Sequence, residues 1–220
     1  MTEIRTETPT AKTFRLALAD WRAHRPGQHY VVRLTAPDGY SASRSYSIAS
    51  PPGDRGVIEL TVERLPEGEV SMFLHDVVVP GDVLECRGPI GGWFVWDGDV
   101  PALLVAGGSG VVPVACMLRH ARRERLEVPV RLVVSVRTPA DLYYADELRA
   151  DPDVTVITTR VASDGRPAGH LAADDLAPVR PDAVAYVSGS NGFCDAATGL
   201  LQTLRQPAER IRVERFGATA

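Results

Sequence analysis

Cysteine is scarce in this chain. Cys86, Cys116 and Cys194 are the only three in 220 residues. They lie far apart in apolar or helical contexts, which reads as reduced core thiols rather than a disulfide framework. Iron–sulfur centres and structural zinc need clustered cysteines or Cys/His pairs, so no metal is expected. The five histidines, His24, His29, His75, His120 and His170, are equally scattered and are expected at the surface or at caps rather than as ligands. Long apolar runs are missing as well: none approaches the roughly 20 residues that span a bilayer. Met1 to Thr10 is polar and lacks the apolar core of a secretory signal. Nor is there an excess of positive charge. The net charge is −4, from 24 Lys+Arg against 28 Asp+Glu, which argues against a nucleic-acid partner. No internal repeat or low-complexity tract is present. These absences place the protein in the cytoplasm, with neither membrane nor nucleic acid as partner.

What remains is ordinary globular material, 45% apolar and 24% charged, long enough for one large domain or two small ones. From Lys12 to about Trp96 the chain runs in short period-two segments: Phe14 to Leu18, Tyr30 to Leu34, Val57 to Val62 and Val83 to Cys86. Turn chemistry separates them at Pro26-Gly27, Pro37-Asp38-Gly39, Pro51-Pro52-Gly53 and Pro80-Gly81-Asp82. Short strands at this spacing predict a small antiparallel barrel, interrupted by a short helix near Ser71 to His75.

After Asp97-Gly98-Asp99 the texture changes, which sets a boundary near residue 98 and divides the chain into domains 1–98 and 99–220. Apolar strands are expected at 101–106, 130–136, 154–158, 183–188 and 210–216, and helices at 112–125, 142–149 and 192–205. Continuous apolar strands such as Leu103-Leu104-Val105-Ala106 imply a parallel sheet covered on both faces. Gly107-Gly108-Ser109-Gly110-Val111-Val112-Pro113 joins the first of these strands to its helix. Glycine lets backbone approach a ligand there, a helix N-terminus offers free N–H groups, and Pro113 fits the first turn. The loop suits a dinucleotide phosphate, although it is not the G-x-G-x-x-G fingerprint. Ser188-Gly189-Ser190-Asn191-Gly192-Phe193 is a second turn of the same kind, and both are placed to line one crevice.

One stretch in the barrel region carries chemistry of its own. Arg44-Ser45-Tyr46-Ser47 puts a cation, a ring and hydroxyls on one strand, with Arg44 and Tyr46 on one face and Ser45 and Ser47 on the other. An arginine fork can hold pyrophosphate and a tyrosine ring can lie against an isoalloxazine. Alone, the motif reads first as a half-exposed strand with one polar face. The downstream pieces reverse that weighting.

Together they resemble the ferredoxin-NADP reductase superfamily over nearly the whole chain. Arg44-x-Tyr46-Ser47 matches its flavin motif, and Gly68-Glu69-Val70-Ser71 its second motif. Gly88-Pro89-Ile90-Gly91-Gly92-Trp93-Phe94 is similar to the last barrel strand, and Gly107 to Pro113 to the Gly-Gly-Thr-Gly-x-x-Pro loop, with Ser109 for threonine. Glu214-Arg215-Phe216 resembles the family's glutamate two residues before an aromatic. The fold implied is an antiparallel β-barrel flavin domain followed by an α/β parallel-sheet nucleotide-binding domain. The activity implied is flavin-dependent NAD(P)H reduction. Hydride passes from the nicotinamide to FAD, and electrons then pass to an acceptor such as a ferredoxin, an oxygenase or P450 system, or a small molecule.

The resemblance also assigns roles. Arg44 would neutralise pyrophosphate, Ser47 would bond near the reactive flavin nitrogen, and Tyr46 and Phe216 would flank the ring. Thr61 and Val62 would support it by backbone. Gly68, Glu69, Val70 and Ser71 would hold pyrophosphate, which favours FAD over FMN; Ser45 and Ser109 complete the flavin set. Gly107, Gly108, Gly110, Val111, Pro113, Gly189, Asn191 and Phe193 fall to NAD(P). Arg137 and Arg160, each just past a parallel strand, would meet a 2′-phosphate and favour NADPH over NADH; the other reading pairs Arg137 with Asp141 or Asp146. Ser47, Ser188 and Glu214 make up the catalytic set, Glu214 relaying a proton or polarising the nicotinamide pocket. Ser188 stands where many relatives carry cysteine, at the expected mouth of the crevice. A redox-impaired binding module and an electron-transfer subunit of a larger complex are the alternatives. Neither an iron–sulfur nor a globin domain is expected.

Overall fold

The first element is one that hydrophobic alternation does not announce. Glu3–Thr8 forms strand β1 at a sheet edge, polar along most of its length; its β-branched Ile4, Thr6 and Thr8 are the only local signal. In the computed structural model, which describes residues 1–163 and 165–217, it is followed by β2 (Ala11–Ala17), β3 (His29–Thr35), β4 (Ser41–Ser47) and β5 (Val57–Glu63). The eight-residue helix α1 (Glu69–Asp76) and β6 (Glu85–Ile90) complete this half. The strands pair antiparallel as two three-stranded sheets, β1-β2-β5 and β4-β3-β6. A single bridge between Ile48 and Leu60 links them. Their inward faces meet in one core of Phe14, Tyr30, Val32, Ile48, Leu60 and Val62, closed by Val70 and Leu74 of α1. Val83 is 94% exposed, and the last strand begins two residues later than the sequence suggests. His24 and His75 are buried rather than superficial, each ring Nε2 lying 2.9–3.0 Å from a carbonyl, of Ser50 and Val62 respectively.

The second half alternates as expected: β7 (Ala102–Gly107), a 3-10 turn at 108–110, α2 (Val111–Glu124), β8 (Val130–Val136), α3 (Ala145–Ala150), β9 (Val154–Thr158), α4 (Ala173–Leu176), β10 (Val184–Gly189), α5 (Asn191–Thr203) and β11 (Ile211–Arg215). These five strands are all parallel, in the order β11-β10-β7-β8-β9. The order reverses between β7 and β10, and a sheet of this kind opens a crevice at the carboxyl ends of the strands that flank such a switch. The helix expected over 142–149 starts late. Tyr144 has a left-handed backbone (φ 56°) just before α3, so the turn at Pro139–Asp141 does not run on into the helix.

Helix α2 lies on one face of this sheet and α5 on the other. The core beneath α2 does not stop at the parallel sheet: Ala11, Ala49, Phe94 and Trp96 belong to the same buried cluster as Val114, Met117 and Leu118. An apolar interface of that kind resists relative motion of the two halves. No helix among the described residues is long and apolar enough to cross a membrane.

Candidate functional site

Two cavities adjoin where the sheets meet. The first, of about 390 Å³, is lined by Arg44, Ser45, Tyr46, Ser47, Thr61, Gly68, Ser71, Ser109, Val112 and Phe216 among others. All four residues of the first motif line it, including the two serines expected on the opposite face. The reason is that β4 is an edge strand, so its free backbone edge, as well as one side-chain face, borders the space. Arg44 is exposed and donates only to the Ser43 carbonyl, at 2.8 Å; among the described residues it has no ion-pair partner. Burial pushes the Tyr46 phenol up to about 12, against the pull of Arg44. Ser47 is buried.

The second motif splits. Gly68 caps α1 and Ser71 folds back over it, its hydroxyl accepting from Leu65 N at 3.2 Å and donating to Gly68 O at 3.0 Å. A Cβ on Gly68 would stand 2.5 Å from that hydroxyl, so the close approach requires glycine. Glu69 instead accepts from the Tyr40 hydroxyl at the surface, and Val70 is core; neither lines the cavity. Val62 is likewise core, whereas Thr61 lines the cavity with its hydroxyl already bonded to Thr13 and Tyr144.

The second cavity, of about 440 Å³, is lined by Gly107, Gly108, Ser109, Arg137, Ser190, Phe193 and Phe216. Gly107 packs so tightly on Phe193 that a Cβ would meet its ring at 2.6 Å. Gly110, Val111 and Pro113 are buried beneath the loop and line neither cavity. Of the two arginines, Arg137 borders the cavity and Arg160 does not, although their backbones are joined by Arg160 N to Arg137 O at 2.9 Å. The pairing of Arg137 with Asp141 does not form: Asp141 instead accepts from the Thr138 amide and hydroxyl, at 2.9 and 2.7 Å. Ser190 caps α5, accepting from Phe193 N at 3.4 Å, while Asn191 stays exposed outside the lining.

Phe216 is a wall common to both cavities, with Ser109, Glu63, Leu65 and Gly217. Its amide is tied to Gly189 O at 2.8 Å. Ser188 departs from expectation. It is fully buried, and its hydroxyl donates to Gly110 O at 2.6 Å instead of facing the crevice. In the parallel register Ser188 pairs with Glu214, which puts both side chains on one face of the sheet. One Glu214 carboxyl oxygen is buried and has no partner among the described residues, and burial pushes the acid up to about 7.

Glu63, Leu65, Ser135, Tyr143 and Thr159 line the crevice without having been singled out. Ser135 is next to last in β8 and Thr159 lies just past β9, so the strand-end rule that marked Arg137 would have found both. Tyr143 has no comparable signal.

Comparison with known proteins agrees with this geometry. The model of the oxidoreductase FAD-binding domain matches residues 1–95, and that of the oxidoreductase NAD-binding domain matches residues 104–198. The NADH oxidoreductase HCR of Escherichia coli (strain K12) is 36% identical over 177 residues, 80% of this chain and 54% of that protein. The reductase component of propane 2-monooxygenase from Rhodococcus jostii (strain RHA1) is 29% identical over 211 residues, 89% of this chain and 56% of that protein. The chain thus spans about half the length of these curated relatives. Its fold is also that of the FAD/NAD-binding domain of nitric oxide dioxygenase from Vibrio cholerae O1 biovar El Tor, with a TM-score of 0.85 at 24% identity, covering 98% of this chain and 96% of that one. On this evidence the chain belongs to the ferredoxin-NADP reductase superfamily, as an oxidoreductase FAD-binding domain followed by an oxidoreductase NAD-binding domain.

Proposed function

We propose that this chain is a reductase module that takes a hydride from NAD(P)H onto FAD and passes the electrons to a partner acceptor. The observation that carries the reading is Phe216, a single side chain shared by a cavity lined with the flavin motif and a cavity lined with the glycine loop. The residues fit the cofactor: Arg44 is a fork without a carboxylate among the described residues, β4 offers a free backbone edge, and Gly68 and Ser71 line the same cavity. When bound, FAD supplies a two-electron acceptor able to release electrons singly. Arg44 neutralises its phosphates, Tyr46 and Phe216 bracket its ring, and Ser47 offers a buried hydroxyl to its polar edge. Gly107, Gly108 and Ser109 receive the coenzyme's phosphates at the start of α2. Arg137, facing the same cavity, is the cation available to a 2′-phosphate. Glu214 lines neither cavity; its carboxyl, pushed up to about 7 by burial, stands two residues before the shared wall Phe216.

We divide the two functional units near residue 98 and place the protein in the cytoplasm. The acceptor is of the oxygenase type, as for the relative named as a monooxygenase reductase component. Because Ser188 faces away from both cavities, its departure from cysteine gives no reason to read the module as redox-impaired. An electron-transfer subunit docked in a larger complex is a second reading, favoured by the exposed Val77, Val79 and Val83 that follow α1.

Heat release and chromatographic identification of the bound pigment test the cofactor. FAD is expected, and a protein that stays colourless with added FAD refutes the proposal. Arg44→Ala should weaken FAD binding by about 1.5–3 kcal/mol. Arg64→Ala, which loses only an exposed pair with Asp76, should leave it nearly unchanged.

A further inference from the structure

A chain of hydroxyls runs between the two halves of the molecule. Tyr144 OH lies 2.5 Å from Thr61 Oγ1, Thr61 Oγ1 lies 2.8 Å from Thr13 Oγ1, and Thr13 Oγ1 lies 2.7 Å from Glu7 Oε1. Each hydroxyl has one proton and an ionised carboxylate only accepts. Thr13 therefore donates to Glu7, Thr61 donates to Thr13, and Tyr144 donates to Thr61. The direction is fixed along the whole line, and such aligned chains strengthen one another. Glu7 closes the loop, its other oxygen accepting from Tyr144 N at 3.4 Å.

The ring of Tyr144 is clamped as well. Arg119 of α2 lies 4.1 Å above its centroid, forks onto Glu147 at 2.6–3.1 Å, and donates to Ala49 O at 2.8 Å. One turn earlier, Cys116 reaches Ser50 O at 3.1 Å. Residues 49 and 50 directly follow the flavin-motif strand. These contacts hold Tyr144 in a left-handed conformation that a bulky residue adopts only when its surroundings over-determine it. The Tyr144–Thr61 bond joins the walls of the two cavities: Thr61 lines the first, and Tyr143, the neighbour of Tyr144, lines the second. Helix α2, which carries Arg119, begins at Val111, and its Val112 lines the first cavity.

We propose that Tyr144, clamped by Arg119 and donating to Thr61, is a positioning residue that fixes the spacing of the coenzyme cavity against the flavin cavity. This rests on the reductase reading above. Tyr144 itself lines neither cavity. Its effect falls on the geometry between them, where a misplacement of about 1 Å costs on the order of a hundredfold in rate.

Tyr144→Phe deletes the donor and keeps the ring. In the cofactor-free protein, amide hydrogen exchange should speed up at 61–63 and 145–148 and stay unchanged in β7 and β10. With FAD bound, reduction by saturating NADH or NADPH in a single turnover should slow roughly tenfold. FAD content, and reoxidation of the dithionite-reduced protein by ferricyanide, should stay within about twofold of wild type. Thr61→Val, at a residue that lines the flavin cavity, is read by exchange in the cofactor-free protein alone: the same segments should speed up, Thr61→Ser should restore the wild-type exchange, and the Tyr144 and Thr61 effects should not add, as expected for partners in one bond. Unchanged exchange, an unchanged reduction rate, or an equal fall in FAD content and ferricyanide turnover each overturns the latch while leaving the reductase reading intact. A wild-type protein that holds FAD but is reduced by neither coenzyme overturns both.

Discussion

Ser109 and Ser188 both stand at strand-to-helix junctions of the parallel sheet, Ser109 two residues past β7 and Ser188 next to last in β10, yet they do opposite things. Ser109 sits in the turn after β7 and borders both cavities. Ser188, near the end of β10, is sealed from solvent, and its hydroxyl holds the carbonyl of Gly110 in the other turn. Ser109 faces the cavities, whereas Ser188 braces the turn that carries it; Ser190, past the end of β10, borders the second cavity as Ser109 does. The brace needs glycine at 110, because a Cβ there would overlap the Ser188 carbonyl and crowd the Gly189 amide at 2.6 Å. A turn that opens on two cavities therefore depends on a strand end packed against its backbone, and a serine's function is set by whether it lies past the strand, as Ser109 and Ser190 do, or within it, as Ser188 does.

The largest test of this contrast is Gly110→Ala, which forces backbone against backbone where no flexible side chain can yield. Overpacking of this kind is expected to cost about 3 kcal/mol, read as a lower denaturation midpoint. A variant as stable as wild type would mean the turns are not braced.

Next is Glu214, the register partner of Ser188. Its acid is pushed up to about 7 by burial, against about 4.3 in an unfolded chain. Between those values the folded state binds more protons than the unfolded state. Stability is then full below about 4.3 and is lost as pH rises through about 7. Glu214→Gln should remove that slope and leave the variant about 1–3 kcal/mol more stable than wild type at pH 8; parallel stability-versus-pH curves for the two proteins would contradict the burial argument.

The smallest effects separate the two serines directly. Ser188→Ala leaves a buried carbonyl short of its donor and should cost about 1–2 kcal/mol, whereas Ser109→Ala should change stability by less than about 0.5 kcal/mol while weakening coenzyme binding. Ser188→Cys should bring no gain in flavin reduction, since its side chain faces away from both cavities. Calorimetry alongside coenzyme titration checks the two alanine variants, and single-turnover flavin bleaching checks Ser188→Cys.

How much of this the sequence carries differs by level. The parallel sheet was legible because Leu103 to Ala106 is a continuous apolar run bounded by Pro101 and Gly107, and Val130 to Val136 is apolar at all but Arg131 and Ser135. Most of the barrel was legible because turn residues punctuate its alternation. Strand β1 was not, being an edge strand with little to bury, and with it went Glu7, the end of the hydroxyl chain. Among the site residues, the Arg44 motif and the glycine loop were legible because their residue types carry their own chemistry. The orientation of Ser188 was hidden because it depends on which sheet face the residue occupies and on a carbonyl 78 positions away. The Tyr144–Thr61 bond, spanning 83 positions, was hidden for the same reason: no local pattern encodes a partner brought in by tertiary packing.

Anaerobic mixing of the FAD-loaded protein with NADH and with NADPH tests the central claim most directly, because Phe216 can join the two cavities functionally only if a coenzyme in one reduces a flavin in the other. The account predicts that the yellow colour bleaches in a single turnover with at least one coenzyme and returns on adding a one-electron acceptor. A protein that binds FAD and keeps its colour with both coenzymes would contradict it.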